Sequence, residues 1–329
     1  MLAVDTQVGF VACKNHSEAE MTETNLPSEI EKGFFIKKGS VPAVRTVTEL
    51  GDIIDHSVHT VAAPKLSDLW RNLALIPDFM PLFKVLIWRS ISLRYTQSFL
   101  GVIWVIAQPI ASTFVVFFMF NLIRVNTADG SHQGIFLFSG ILAWQFFARG
   151  LNDATSSLQV HSGILTRIYL PKIMLPLASV IATWFDTLVL IATLLLTCFL
   201  FGISPTPRLL WLPVFLTLIS LASLSVGLGL APLHALYRDV GLLVPFALQF
   251  GMYATPVYYA TRFIPEKYQL LYHLNPIVSL VEGVRWSMLP ESPAPDLMYL
   301  LMNVATILVA LAVSLFVYQK LEATVIDRI

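Results

Sequence analysis

The stretch MLPLASVIATWFDTLVLIATLLLTCFLF, residues 174–201, decides the fold, because its only charged side chain is Asp186. Crossing a bilayer takes about 20 apolar residues, and this stretch is longer than that. A central carboxylate costs about 2.5–3.5 kcal/mol on the insertion scale, whereas each Leu, Ile, Phe or Val returns about 0.3–0.6 kcal/mol. The apolar residues after Asp186 outweigh its cost, so the stretch is predicted to be a membrane-spanning helix.

Charge-poor windows of the same kind recur along the chain. Of the 329 residues, 56% are hydrophobic and 13% are charged, whereas soluble domains have about 25% charged residues. The windows are 98–123, 134–154, 174–201, 209–233, 240–260 and 297–319. We therefore predict an all-α polytopic membrane protein whose transmembrane domain, residues 98–320, contains six transmembrane helices.

The remaining composition narrows the class further. The 21 basic and 21 acidic residues balance, so there is no bulk electrostatic basis for binding nucleic acid. Cys13 and Cys198 lie in a polar and an apolar segment, respectively, which gives no disulfide framework. The apolar run from Val8 to Cys13 is too short for a signal peptide. Residues 1–65 are predicted to be a polar cytoplasmic tail, either disordered or carrying a small accessory element.

The distribution of basic residues predicts the orientation. Lys and Arg are more frequent in the loops on the side of the N-terminus, and an excess of these residues marks cytoplasmic loops. With six spans, both termini are then cytoplasmic, including the C-terminal residues 321–329.

Residues 66–97 precede the first span and are predicted to form amphipathic helices at the cytoplasmic interface. The second of these, about 79–95, carries basic residues and Trp88, which suit a helix in the headgroup layer. Its apolar side is predicted to contain Phe79, Leu82, Phe83, Leu86 and Leu93. The alternative is a soluble helix that packs on its neighbours.

The connection between the fifth and last windows, about 261–296, is too apolar for a free loop. Asn275-Pro276 interrupts it, so we predict a short re-entrant hairpin of two helices before the last span. Glu282 and Arg285 lie three residues apart there. They either pair with each other, which we favour, or clamp cargo at the exit.

Charged residues inside the spans are rare and have their own predictions. Arg149 and Asp153, four residues apart, are predicted to pair within one helix in preference to contacting cargo. Asp186 has no obvious partner in its own helix. It is predicted to face the interior of the bundle or a second copy of the chain.

The sequence also bears on catalysis. It contains no Gly-Lys pair, which excludes a G-x-x-x-x-G-K-[ST] phosphate loop, and it has no H-E-x-x-H motif. We predict that the chain is not an enzyme and that another polypeptide supplies the energy. An ion-coupled secondary transporter remains an alternative, although no inverted repeat with broken helices is visible.

A set of short motifs occurs in a fixed order along residues 66–320. The motifs are LRYTQSFLGVIW at 93–104 followed by Gln108-Pro109, SGILAWQFF at 139–147, LPK at 170–172, Tyr237-Arg238-Asp239, PVYY at 256–259, Asn275-Pro276 and EGVRW at 282–286. In this order they resemble the permease subunits of bacterial polysaccharide ABC exporters, the type 2 ABC exporter family. Residues 1–65 have no counterpart in the resemblance.

The resemblance implies partners, cargo and location. It implies two copies of the chain and two separate ATP-binding subunits that hold ATP and Mg on the cytoplasmic side, with no cofactor in this chain. It also implies export of a polysaccharide or lipid-linked glycan, such as O-antigen of lipopolysaccharide or capsule, across the bacterial cytoplasmic (inner) membrane. A permease for a drug, lipid or other small amphiphile is the alternative within the same superfamily.

A glycan conduit requires surfaces along which sugars slide, and aromatic rings provide them. The predicted conduit-lining residues are Trp144, Phe147, Trp184, Tyr253, Tyr258 and Tyr259. The alternative is that these rings belong to interfacial belts or to helix packing.

Coupling to the ATP-binding subunits requires a cytoplasmic element, and residues 160–176 fit because Gly163 and Pro171 bracket a short helical segment. Together with the interface helix, this segment is predicted to transmit the power stroke. The alternative is an ordinary positively charged loop. The predicted coupling residues are Trp88, Arg89, Arg94, Gly163, Leu165, Arg167, Tyr169 and Lys172.

Overall fold

The structure is a computed structural model that describes residues 77, 79–96, 101–123, 132–165, 170–204 and 206–326. Within those ranges it is helical and contains no strand. The α-helices are α1 Met80–Tyr95, α2 Ile103–Leu122, α3 Gln133–Val160, α4 Ser162–Leu165, α5 Met174–Leu200, α6 Leu212–Leu236, α7 Val240–Ala254, α8 Glu266–Tyr272, α9 Ile277–Met288 and α10 Leu297–Ile326. Short 3-10 turns lie at Pro207–Trp211 and Thr261–Phe263.

The prediction of an all-α membrane protein is confirmed, with five helices long and apolar enough to cross a membrane among the described residues. They are α2, α3, α5, α6 together with its preceding turn, and α10, and they coincide with five of the six predicted windows.

The sixth predicted window, 240–260, has a different structure. Its helix, α7, contains only 15 residues and is therefore about 22 Å long, shorter than the hydrocarbon core of about 30 Å. The helix ends because Thr255 is extended, with φ −109° and ψ 150°. The ring of Pro256 disfavours the helical conformation of the residue before it. The stretch 255–260 continues without helix.

Helix α3 is the centre of the bundle. In its apolar window 78% of the residues are buried, compared with 11% in α2 and 17% in α10. It packs against α5 and α6 along much of its length and also touches α2, α7 and α9. The core around it is mostly aliphatic and aromatic, and includes Leu137, Ile141, Leu142 and Phe146.

Helix α1 packs against α5 by one face. Phe83 and Leu86 are buried in a second apolar cluster that includes Met174 and Leu175 of α5. The predicted apolar face is only partly correct, because Leu93 is half exposed. The buried face of α1 consists instead of Phe83, Leu86 and Ser90.

The joint between α1 and the first span has a required glycine. Gly101 has φ +50°, a left-handed conformation that glycine adopts readily and other residues rarely do. Helix α2 begins just after it, at Ile103.

The two short helices predicted around Asn275-Pro276 are present as α8 and α9. The side-chain oxygen of Asn275 accepts a hydrogen bond from the amide of Ile277 at 3.1 Å, which stabilises the turn. Helix α9 is almost entirely buried against α3 and α6. The predicted tail 1–65, the start of the interface region at 66–76 and residues 327–329 lie outside the described residues.

Candidate functional site

The first candidate site is an ionic cluster formed by Arg94, Arg149, Asp153 and Asp186. The two terminal nitrogens of Arg94 each lie 2.5 Å from a carboxylate oxygen, one of Asp153 and one of Asp186. The hydroxyl of Tyr95 donates a hydrogen bond to the other oxygen of Asp186. The C-terminal end of α1 is thereby joined to both α3 and α5.

The intrahelical pair predicted between Arg149 and Asp153 is not the arrangement found in the described part of the chain. Arg149 donates to Oε1 of Gln145 at 3.3 Å, and its Nη1 lies 3.7 Å from Asp186. Asp153 binds Arg94 instead. The cause is that α1 brings Arg94 between the two aspartates, and helical spacing alone carries no information about that approach.

Burial differs within the ionic cluster. The side chain of Asp186 is 5% exposed, that of Arg94 22% and that of Asp153 33%. The two positive and two negative formal charges balance, so removal of any one charge leaves an uncompensated charge in a partly buried place. A cavity of about 320 Å³ opens beside the cluster and is also lined by Trp104 and Gln108. Asp186 thus faces the interior of the single chain.

The other predicted coupling residues lie on the same side of the bundle or outside the described residues. Trp88 and Arg89 are exposed on α1, and Gly163 is exposed in α4. The ammonium group of Lys172 donates to the main-chain carbonyl of Glu322 at 3.5 Å, which connects the start of α5 to the end of α10. The positions of Arg167 and Tyr169 and the side chain of Leu165 are not among those described. Coupling through this set stays a prediction.

The second candidate site, here called the hairpin network, is centred on Arg285 of α9. Its Nη2 donates to the carbonyl of Val257 at 2.6 Å and its Nη1 to the carbonyl of Tyr259 at 3.3 Å. The guanidinium carbon lies 3.7 Å from the centroid of the Phe136 ring. The side chain is buried, so Arg285 fixes the non-helical stretch after α7 to α3 and α9.

Gly140 makes this arrangement possible. A Cβ atom at this position would lie 2.4 Å from Nη2 of Arg285 and 2.5 Å from the carbonyl oxygen of Val257. Any larger residue would therefore displace either the arginine or the backbone that it holds. Gly140 belongs to the SGILAWQFF motif, and this close contact explains why a glycine stands at the second position of the motif.

Glu282, one helical turn before Arg285, is partly buried. Burial raises the pKa of its carboxyl above the ordinary value, although the positive charge of Arg285 opposes this rise. Pairing of Glu282 with Arg285 stays a prediction. The terminal nitrogens of Arg285 also bind main-chain carbonyls, which the sequence did not predict.

Neutral hydrogen bonds extend the hairpin network. The amide of Asn275 donates to Thr255 at 2.9 Å, and the amide of Asn303 in α10 donates to Ser279 at 2.8 Å. The ring of His273 lies 3.3 Å from the same serine hydroxyl and stacks on Tyr299. Our sequence analysis missed Asn303, although an amide in an otherwise apolar span is a recognisable signal.

The predicted conduit aromatics separate into two groups. Trp144 and Phe147 are 5% and 8% exposed and pack on each other with ring centroids 5.5 Å apart. Trp184 is partly buried and packs edge-on against Phe146 at 5.3 Å. These three rings pack within the single chain.

The tyrosines form the second group and gather around the C-terminal end of α7. Tyr253 is 63% exposed, and its ring centroid lies 6.0 Å from that of Tyr258. The hydroxyl of Tyr259 donates to the carbonyl of Tyr253 at 3.1 Å and accepts a hydrogen bond from Tyr272 at 3.0 Å. Contact of either group with cargo stays a prediction.

Comparison with known proteins gives consistent matches. Residues 81–289 match the family described as ABC-2 type transporter, which is more than half of the chain. The chain is 25% identical to an O-antigen export system permease protein RfbA of Klebsiella pneumoniae over 236 residues, which is 71% of this chain and 89% of that protein.

Two further relatives match over nearly the same extent. The chain is 26% identical to an O-antigen export system permease protein RfbA of Myxococcus xanthus, covering 72% of this chain and 92% of that protein. It is 23% identical to the polysialic acid transport protein KpsM of Escherichia coli, covering 71% of this chain and 91% of that protein.

Proposed function

The chain belongs to the ABC-2 type transporter family, and we propose that it is the membrane-spanning subunit of an exporter that moves a polysaccharide or lipid-linked glycan across the bacterial cytoplasmic membrane. The observation that carries the proposal is the similarity over about seven-tenths of the chain to permeases named for O-antigen export and polysialic acid transport. The chain is a multi-pass membrane protein, and these relatives are transport subunits and not enzymes.

The energy source in this proposal is a separate ATP-binding protein. The full sequence has no Gly-Lys pair and hence no phosphate loop of the usual kind. A working particle contains two copies of this chain and two ATP-binding subunits that hold ATP and Mg. The two-copy arrangement comes from the family resemblance.

In the proposed topology the chain crosses the membrane six times and both termini are cytoplasmic. Helix α7 and the stretch 255–260 together make the fifth crossing, since α7 alone is too short. Such non-helical backbone is tolerated at membrane depth where protein surrounds it. The bonds from Arg285 to Val257 and Tyr259 support this view. The hairpin of α8 and α9 then lies at the outer mouth.

The ionic cluster supplies a path for the power stroke in this proposal. Exposed residues of α1, such as Trp88 and Arg89, receive the push from the ATP-binding subunits. Arg94 then passes it to α3 and α5 through its two carboxylate contacts. Tyr253, Tyr258 and Tyr259 offer aromatic faces near the exit, where sugars slide without a tight hold.

The decisive experiment combines a gene deletion with reconstitution. Cells that lack this chain should accumulate the polymer internally, and the full-length chain should restore export. Purified chain should bring an ATP-binding protein with it and should export glycan in liposomes only when that protein hydrolyses ATP. Transport driven by an ion gradient without the ATP-binding protein, or unchanged polymer export in the deletion strain, would contradict the proposal.

A further inference from the structure

A cavity of about 460 Å³ with both polar and apolar lining lies between the hairpin and the start of α3. Its wall contains Glu282 and Arg285 of α9, Arg262 of the 3-10 turn and Glu291 of the following loop. Phe136 of α3 contributes an aromatic ring, and the loop also contributes Ser292. The volume falls within the range of about 300–1,000 Å³ that is typical of small-molecule sites.

The chemistry of this wall suits one class of ligand. A sugar ring carries neighbouring hydroxyls, each of which donates one hydrogen bond and accepts others. Carboxylates only accept hydrogen bonds and guanidinium groups only donate them. Glu282, Glu291 and Arg262 therefore provide both kinds of partner at the edge of a single cavity.

Charge balance argues for a neutral ligand. Two carboxylates and two guanidinium groups line the cavity, so their formal charges cancel and the wall favours neither an anion nor a cation. Among the described residues no group of three or more His, Cys, Asp and Glu side chains is placed to hold a metal ion. The terminal nitrogens of Arg285 bind the main chain, so that residue shapes the cavity and leaves ligand contacts mainly to the others.

We propose that this cavity is a subsite for one neutral sugar unit of the exported glycan, contacted by Glu282, Glu291 and Arg262. The inference rests on the function proposed above and adds to it a place within the single chain where cargo is held. A unit held here as it leaves would hinder backsliding of the polymer between successive strokes.

Site-specific photo-crosslinking tests the inference with the native polymer as the probe. The photoreactive residue p-benzoylphenylalanine is placed at Ala294, an exposed position that lines the cavity. The matched control carries it at Tyr268, which is exposed on α8 of the same hairpin and does not line the cavity. The full-length chain is irradiated in polymer-producing cells, purified under denaturing conditions and stained for periodate-oxidised carbohydrate.

We expect carbohydrate to be attached at position 294 and little at position 268. With the photoreactive residue at position 294, Glu282→Gln should lower the captured carbohydrate by about tenfold, because the amide keeps an acceptor but the hydrogen bond loses its charge assistance. Glu291→Gln should also lower it. Glu266→Gln, which removes an exposed carboxylate of α8 outside the cavity, should leave capture unchanged.

The outcomes separate the two proposals. If the polymer is exported only when this chain is present, yet position 294 captures no more carbohydrate than position 268, the subsite is wrong and the exporter function stands. Equal capture in the Glu282→Gln and Glu266→Gln variants would also overturn the subsite. If the polymer reaches the surface without this chain, the proposed function itself fails.

Discussion

The ionic cluster and the hairpin network stabilise different parts of the molecule by different chemistry. In the ionic cluster, charged groups that are 59 and 92 residues apart in sequence bind each other. In the hairpin network, Arg285 and several neutral side chains form hydrogen bonds with partners between 6 and 28 residues away. The first depends on charge balance among three helices, whereas the second depends on close fit and local hydrogen bonds. The two should therefore respond differently to mutation.

The largest effect is expected from Arg94→Met. It leaves Asp153 and Asp186 without their shared guanidinium group, and breaking a buried ion pair from one side costs about 3–5 kcal/mol. We expect a much lower unfolding temperature, measured by tryptophan fluorescence of the protein in detergent. We also expect loss of export. The control is Arg89→Met, which changes an exposed basic residue on the same helix. We expect it to change the free energy of unfolding by less than about 0.5 kcal/mol.

A second substitution sharpens this first prediction. Adding Asp186→Asn to Arg94→Met removes the more buried of the two carboxylates that lost Arg94, which leaves Asp153 and Arg149 with balanced charges, and should recover part of the lost stability. If both Arg94→Met proteins, with and without Asp186→Asn, unfold at the parental temperature, the cluster does not depend on charge balance.

The second effect is steric and belongs to the hairpin network. Gly140→Ala places a methyl group 2.4 Å from Nη2 of Arg285, and overpacking of this kind costs about 1–3 kcal/mol. We expect a lower unfolding temperature and reduced export. The control is Gly134→Ala on the same helix, where the nearest atom to the new methyl group is a ring carbon of Phe117 at 3.9 Å. Equal behaviour of the two variants would contradict the close fit.

A smaller effect is expected from Ser279→Ala, which removes the hydroxyl that the buried amide of Asn303 and the ring of His273 both contact. The loss of each such hydrogen bond costs about 1 kcal/mol, and the sum is measurable as a shift in the unfolding temperature. Ser287→Ala is the matched control on the same helix, because its buried hydroxyl binds only the carbonyl of Val284 in the preceding turn. We expect Ser287→Ala to shift the unfolding temperature by less than half as much as Ser279→Ala. A larger shift in Ser287→Ala would contradict the importance of the contact between Ser279 and α10.

The smallest effect concerns acid sensitivity at the two sites. Burial lowers the pKa of His273 in the hairpin network, although Asp296 raises it, and burial also lowers the pKa of His161 near the ionic cluster. A lowered pKa means that the fold favours the neutral imidazole. Stability from each group is therefore present above the ordinary histidine pKa of about 6.5 and is lost as the pH falls below it.

Unfolding temperatures at about pH 7.5 and 5.5, on either side of the ordinary histidine pKa, measure this acid loss. His273→Gln and His161→Gln should each reduce the loss, and the double variant should show the sum of the two reductions if the sites are independent. A non-additive double variant would show that the two parts of the molecule are coupled.

Sequence patterns predicted the long helices well because length and lack of charge are sufficient to define a span. They did not predict where α7 ends, because the apolar window continues past Ala254 while Pro256 holds Thr255 in an extended conformation. The partners of Arg94 could not be predicted, since periodicity describes one helix at a time and the contact joins three. The turn at Asn275-Pro276 could be predicted because a turn depends on neighbouring residues. The hydrogen bonds from Arg285 to two main-chain carbonyls could not be predicted, because every residue has such a carbonyl and the sequence pattern does not distinguish them.

The use of both terminal nitrogens of Arg94 has a consequence for which residues can stand at that position. A planar guanidinium holds two terminal nitrogens apart in a fixed fork, so one residue reaches an aspartate on each of two neighbouring spans. A lysine there keeps the positive charge, but its three donors lie on one compact ammonium at the end of a flexible stem and not on two nitrogens held apart in a plane. It would satisfy one carboxylate and release the other, and α1 would then be tied to one span alone.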